Sequence, residues 1–280
     1  MSLVQQSDPE AEAHFTTSPW GAGRKPVSPA TPPEAEDAPI GMIRPFPSRS
    51  GRAVTEGVPD TDLPSSADVP ALASRLEAAP ADEVVAWALN LFGPTLTLVC
   101  SFQNCVLIDL ATQVDAQVEV LFLDTGSHFA ETLTFVEEVR ALYDLNLRVT
   151  MPGPAAKDWP CGSERCCELR KLVPLAGALR GRAAWMTGLK RVDTSNRANS
   201  PVVGWDSTRR LVKINPLARW SHRDVTRYEA DHQLPVHPLR KKGYSSIGCR
   251  PTTRPVSLLE DPRAGRWPGT SKTECGLHTA

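Results

Sequence analysis

No apolar run in the 280 residues approaches the roughly 20 residues needed to cross a bilayer. The opening Met1-Ser2-Leu3-Val4-Gln5-Gln6-Ser7-Asp8 is polar and acidic where a secretory leader is basic and then apolar. Both absences point to a cytoplasmic protein without a membrane partner. Clustered basic runs are also scarce, Arg240-Lys241-Lys242 being the one stretch of three, and no aromatic stacking motif accompanies it. A nucleic-acid surface is therefore not expected. No internal repeat is evident, which sets repeat architectures aside. In a reducing compartment the seven cysteines are better read as ligands, nucleophiles or buried small hydrophobes than as disulfide partners.

Charge is present but unevenly placed. The formal net charge is −1, yet residues 161–280 hold 22 Lys and Arg against 10 Asp and Glu, a net +12, and residues 1–160 are correspondingly acidic at −13. The C-terminal half looks built to meet an anion, and a small phosphorylated ligand fits better than a polymer. Residues 1–69, rich in Pro, Ala, Ser and acidic side chains with no sustained periodicity, read as a disordered segment. Residues 70–260 read as one α/β domain, and 261–280 as a mobile C-terminal tail.

Helical spacing begins near Pro70 and continues through Leu72, Leu76, Val84, Val85, Ala88, Leu89 and Phe92, broken at Ala79-Pro80 and closed by Gly93. Strand-like and helix-like stretches then alternate: 95–101, 106–112, 118–124, 129–143 and 147–151, with 183–188 and 211–214 as further strands. Ser221 with Asp224 resembles a capping box opening a helix that stops before Pro235. The alternation predicts a mostly parallel sheet with helices on both faces. Ligands of such sheets sit beyond the strand carboxyl ends, which marks the loops at Ser101-Phe102-Gln103-Asn104 and Asp124-Thr125-Gly126-Ser127-His128.

The cysteines carry the chemistry. Cys166 and Cys167 are adjacent, so they make a strained disulfide, but both thiolates can reach a metal cluster. Cys249, between Gly248 and Arg250-Pro251, supplies another thiol where the backbone can approach closely. A cysteine three residues later would complete a four-thiolate site, and that position is Thr252. Cys275 lies near the end of the sequence with Gly276 as a hinge. A thiol so placed can pass between a pocket and an outside reductant, with positive charge from His278 or from arginines making its thiolate available.

Together these motifs resemble the adenylyl-sulfate (APS) and phosphoadenylyl-sulfate (PAPS) reductase family, on the adenine-nucleotide α-hydrolase-like fold. The likeness runs from about Thr95 to His278. It rests on Leu123–Thr132, Cys166-Cys167-Glu168-Leu169-Arg170-Lys171, Thr187-Gly188-Leu189-Lys190-Arg191, Tyr244–Cys249, Asp261–Trp267 and Glu274–His278. The resemblance implies that Cys275 attacks the sulfate sulfur of APS, releasing AMP and leaving a cysteine S-sulfonate from which thioredoxin or a similar dithiol frees sulfite, in sulfate assimilation and cysteine biosynthesis. It further implies substrate contacts from Ser101, Asp124, Thr125, Gly126, Arg170, Lys171, Gly188, Arg191, Arg263 and Arg266. Members with the paired cysteines and a later Cys-x-x-Cys hold a [4Fe-4S] cluster and generally prefer APS. Here Cys166, Cys167 and Cys249 match while Thr252 does not, so three thiolates are expected to hold the cluster with one iron open to another ligand, or as a [3Fe-4S] species.

Two further departures stand out. The segment after Ser101 is shorter than in relatives and lacks their acidic residue, and Trp267 is followed by Pro268-Gly269 where relatives carry aromatics. Two alternatives stay open: a cluster-free PAPS reductase, and a non-catalytic nucleotide-binding or iron–sulfur protein derived from a reductase.

Overall fold

The computed structural model describes residues 63–278. The expectation of disorder over 1–69 falls mainly on residues outside that range. Within it, the carboxylate of Asp68 accepts hydrogen bonds from the Ser65 backbone and hydroxyl (2.9 and 2.7 Å), closing a turn that leads into the first helix. No helix among the described residues is long and apolar enough to cross a membrane.

Helices α1 (Val69–Leu76) and α2 (Ala81–Phe92) open the domain, separated at Pro80 and ended by Gly93 in a positive-φ conformation. Strand β1 (Leu96–Cys100), α3 (Val106–Thr112), β2 (Val120–Leu123), α4 (Ala130–Tyr143) and β3 (Leu147–Thr150) then alternate as their sequence periods require. After the cysteine-bearing segment come β4 (Ala184–Thr187), β5 (Val203–Asp206) and β6 (Leu211–Ile214). The sheet has six strands in the order β3-β2-β1-β4-β6-β5, parallel except where β5 runs antiparallel to β6. Strand β5 was not expected. It is four residues at a sheet edge with Gly204 in its centre, where a Cβ would lie 2.8 Å from Pro201 Cγ, and so short a segment has no readable alternation.

Successive side chains of a strand point to opposite faces, and the core divides accordingly. Val120 and Phe122 join α2, α3 and α4 in the larger apolar cluster, whereas Leu121 and Leu123 pack with Trp185, Leu211, Leu175 and Leu179 on the other face. Burying each such side chain contributes about 1.5–3 kcal/mol. The second face has one short helical cover, and Leu277 of the C-terminal segment adds to it.

The chain leaves β1 toward β2 on one side and enters β4 on the other, so the loops following β1 and β4 diverge and leave a crevice at their carboxyl ends. The first of these loops is held in an unusual turn. Phe102 has φ +55°, which costs a non-glycine residue roughly 1–2 kcal/mol, and its buried ring packs edge-on against Phe122 at 5.4 Å. That burial sustains the strain and lets a short loop bring Ser101 to the crevice.

Candidate active site

The cysteine-bearing segment begins at a tight turn. Gly162 has φ +98°, and Ser163 then caps α5 (Glu164–Cys167) by accepting from the Cys166 N–H at 3.1 Å. A π-helical turn (Glu168–Leu172) follows and runs into α6 (Val173–Ala178), the helix on the second sheet face. Pro174 has no N–H to donate, and the Val173 N–H reaches back five residues to the Glu168 carbonyl. The wide turn carries Arg170 and Lys171, which part company: Lys171 lines the crevice, and Arg170 donates to the carbonyls of Thr125 (2.6 Å) and Ala156 (3.0 Å).

Arg170 thereby braces the loop after β2. Asp124 accepts from the Gly126 N–H at 2.8 Å, Gly126 adopts φ +65°, and the buried Thr125 hydroxyl lies 3.5 Å from Cys249 Sγ. Arg250 N–H bonds the Ser127 carbonyl at 2.7 Å, tying this loop to the Cys249 segment. Gly248 is required there by space, since a Cβ would collide with the Arg266 guanidinium that crosses it. Arg266 in turn stacks over Trp267 at 4.6 Å.

The C-terminal segment is docked in this structure. Glu274 receives Arg197 through two hydrogen bonds and the Thr194 hydroxyl at 2.9 Å, while Arg263 donates to the Thr273 carbonyl at 3.1 Å. His278 stacks parallel to Trp185 at 6.1 Å. These contacts place Cys275 among the crevice residues, with Lys171, Arg263 and Arg266 all within electrostatic reach of its sulfur. Of the two charge sources expected for Cys275, arginines are present, joined by Lys171, and His278 lies in the crevice without charge. Burial, followed by the neighbouring Arg197 and Lys213, pushes the imidazole well below its ordinary value and keeps it neutral. Burial works against the charge on Lys171, but Cys275, Cys249 and Cys167 more than offset it, so its pKa is raised and the ammonium persists.

The expected substrate residues divide clearly. Ser101, Thr125, Lys171, Gly188, Arg263 and Arg266 line the crevice. Asp124, Gly126, Arg170 and Arg191 are not among the lining residues; Arg191 pairs with Glu77 at 2.7 Å and donates to the Ser200 carbonyl at 2.8 Å. Lys190 and Arg197 also line it and were missed as site residues. The basic excess of the second half was the only signal for Arg197, which finds its partner 77 positions away, whereas Lys190 stood inside the Thr187–Arg191 motif.

Cys166, Cys167 and Cys249 are buried free thiols, and Cys249 lines this crevice. A fourth cysteine joins them: Cys161 lies within electrostatic reach of the thiol of Cys249, the hydroxyl of Thr252 and Cys166. The Cys161 thiol donates toward Cys249, which lowers the Cys249 pKa and raises that of Cys161. Among the described residues no group of three or more His, Cys, Asp or Glu side chains is arranged around a single metal ion. Thiols are the donors that an iron–sulfur cluster takes, and Lys171 and Lys272 lie within electrostatic reach of Cys167.

Residues 95–255 match the phosphoadenosine phosphosulfate reductase domain family. An adenosine 5'-phosphosulfate reductase of Mycobacteroides abscessus is 44% identical over 217 residues, covering 74% of this chain and 92% of that protein. Another from Streptomyces coelicolor is 45% identical over 224 residues, covering 75% and 95%. The crystal structure of phosphoadenylyl-sulfate (PAPS) reductase from Candida auris, a phosphate complex, aligns with a TM-score of 0.60 at 27% identity, over 68% of this chain and 98% of that one. Since the matched span takes in all six strands, the paired cysteines and Cys249, this chain belongs to the phosphoadenosine phosphosulfate reductase domain family.

Proposed function

We propose that the chain reduces adenylyl sulfate to sulfite and AMP, with Cys275 as the nucleophile, in cytosolic sulfate assimilation leading to cysteine. The observation that carries this reading is the docking of Cys275 into a crevice at the strand carboxyl ends, facing Lys171, Arg263 and Arg266. The APS reductases of Mycobacteroides abscessus and Streptomyces coelicolor, similar over most of their length, support APS as the substrate.

The difficulty of the reaction is bringing a thiolate to a sulfate that already bears negative charge. Lys171, Arg263 and Arg266 offset that repulsion and stabilise the charge that develops as AMP leaves. Ser101, Thr125, Gly188 and Lys190 hold the nucleotide against the strand ends, and Arg197 holds the tail so that the sulfur is in place before reaction. A bond forms from Cys275 Sγ to the sulfate sulfur while the bond from that sulfur to the bridging phosphate oxygen breaks, and AMP departs with the electron pair. A thiolate of thioredoxin or a similar dithiol then attacks Cys275 Sγ, and sulfite leaves with the electrons of the S–S bond. The second thiol of the reductant resolves the mixed disulfide and returns Cys275 as thiolate. The dithiol thus supplies two electrons and is left as a disulfide, with two protons released.

Cys166, Cys167 and Cys249 would hold a [4Fe-4S] cluster, which when bound supplies a fixed anionic centre beside Lys171 and ties the cysteine-bearing segments together. The test is mass spectrometry of anaerobic protein incubated with APS or with PAPS, without reductant. A sulfonate on the Cys275 peptide from APS is the expected result. Bound nucleotide with no adduct overturns the reading, and an adduct from PAPS alone overturns APS as the substrate.

A further inference from the structure

We propose that Cys161 supplies the fourth thiolate of the iron–sulfur site, taking the place left by the threonine at position 252. The inference rests on the reading that this chain holds a cluster on Cys166, Cys167 and Cys249.

The spacing after Cys249 leaves the ligand set one short, because the Thr252 hydroxyl is not a soft donor of the kind an iron–sulfur cluster takes. Three observations place Cys161 at that gap. Its thiol is within electrostatic reach of Cys249, Thr252 and Cys166. The next residue, Gly162, sits directly against position 252: a Cβ there would lie 2.8 Å from Thr252 Cγ2. The Cys161 turn therefore closes onto the threonine, with φ +98° at Gly162 permitting the bend. Finally, the Lys272 ammonium donates to the Gly162 carbonyl at 3.1 Å while lying 3.3 Å from Cys167 Sγ, so one cation ties this turn to the paired cysteines.

Cys161 has no other evident task. It is a free thiol, partly exposed, and it does not line the crevice that holds Cys275. The Thr252 methyl packs against Gly162 and occupies the position three residues after Cys249, while the Cys161 thiol lies on the turn before it. Four residues separate Cys161 from Cys166, and the turn at Gly162 and Ser163 folds that separation back on itself.

The deciding experiment is anaerobic reconstitution with ferrous iron and sulfide, measuring iron and acid-labile sulfide per chain with visible absorption and EPR, on wild type, C161S, C166S and the double variant C161S/T252C. Wild type is expected to take up about four irons. C161S should lose roughly one iron in four, with a [3Fe-4S] EPR signal, or lose the cluster entirely, and C161S/T252C should recover it. A C161S protein with wild-type iron content and an unchanged spectrum overturns the role of Cys161 while leaving the cluster reading intact. Wild type that takes up no more iron than C166S overturns the cluster reading and this inference with it. If C161S does not fold, alkylation mapping on iron-loaded wild type gives the same decision. Cys161 should be protected alongside Cys166 and become reactive on chelation; alkylation of Cys161 in the loaded protein overturns the assignment.

Discussion

Arg197 grips Glu274 with two parallel hydrogen bonds, Nε to Oε1 at 2.6 Å and Nη2 to Oε2 at 2.7 Å, and the two side chains are only 9% and 7% exposed. Bidentate geometry in a dry setting makes this the strong form of an ion pair, and removing one partner leaves the other charge buried and unpaired. It joins the loop after β4 to the segment carrying Cys275, so the pair fixes that cysteine in position.

Replacing Glu274 by Ala should undock the segment and slow Cys275 sulfonation by about 100-fold, because small displacements of a positioned nucleophile carry losses of that order. Nucleotide binding should change far less. Single-turnover mass spectrometry of the adduct gives the rate, and limited proteolysis after residue 270 reports the undocking.

The same pair sets an acid limit. Burial raises the Glu274 carboxyl, but Arg197, Thr194 and Arg263 outweigh it and the net shift is below the ordinary value of 4.5. A depressed carboxyl pKa stabilises the docked state above the undocked value, and that stabilisation is lost as pH falls through the docked one. Docking should therefore be intact at neutral pH and fail in the acid range below 4.5. Proteolysis with an acid-active protease across that range should show a transition in wild type that is absent in E274Q.

Lys171→Met keeps the aliphatic stem and removes the charge facing Cys275. Loss of one preorganised positive group at a developing charge lowers turnover by about 10²–10³-fold. The sulfonation rate should fall by that factor, with the nucleotide dissociation constant much less affected. An unchanged rate would remove Lys171 from the reaction.

Gly248→Ala forces a methyl into the Arg266 guanidinium. Overpacking of this kind costs about 1–3 kcal/mol, so thermal unfolding should shift down, and kcat/KM for APS should fall because Arg266 lines the crevice. Gly153→Ala, where nothing lies within 4 Å of the added carbon, is the matched control and should leave kcat/KM unchanged.

Much of the fold was legible because its elements obey simple periods. The bounds of α3 and β6 coincide with the apolar stretches that announced them, and the Ser221 and Asp224 capping box is present with hydrogen bonds of 2.7–3.2 Å. The site was legible as a set of residue types and less so as directions. Arg170 and Lys171 are neighbours in one helical turn, where adjacent side chains do not share a face, so a basic pair at the site sends one member inward and the other elsewhere. Which one faces the crevice depends on the π turn ahead of Pro174. Cys161 was overlooked for a related reason: its nearness to Cys249 comes from a bend at Gly162 and a sequence separation of 88 residues, and no local spacing encodes either.

Leu277 and His278 belong to the protein's architecture as much as to its chemistry, because they lie over Leu211 and Trp185 where the second sheet face has little else to cover it. On the proposed reaction, handing Cys275 to a reductant means peeling back part of a layer, so each turnover would include a small local unfolding step. The surface that such a step would uncover is apolar, being the Leu211 and Trp185 side of the sheet.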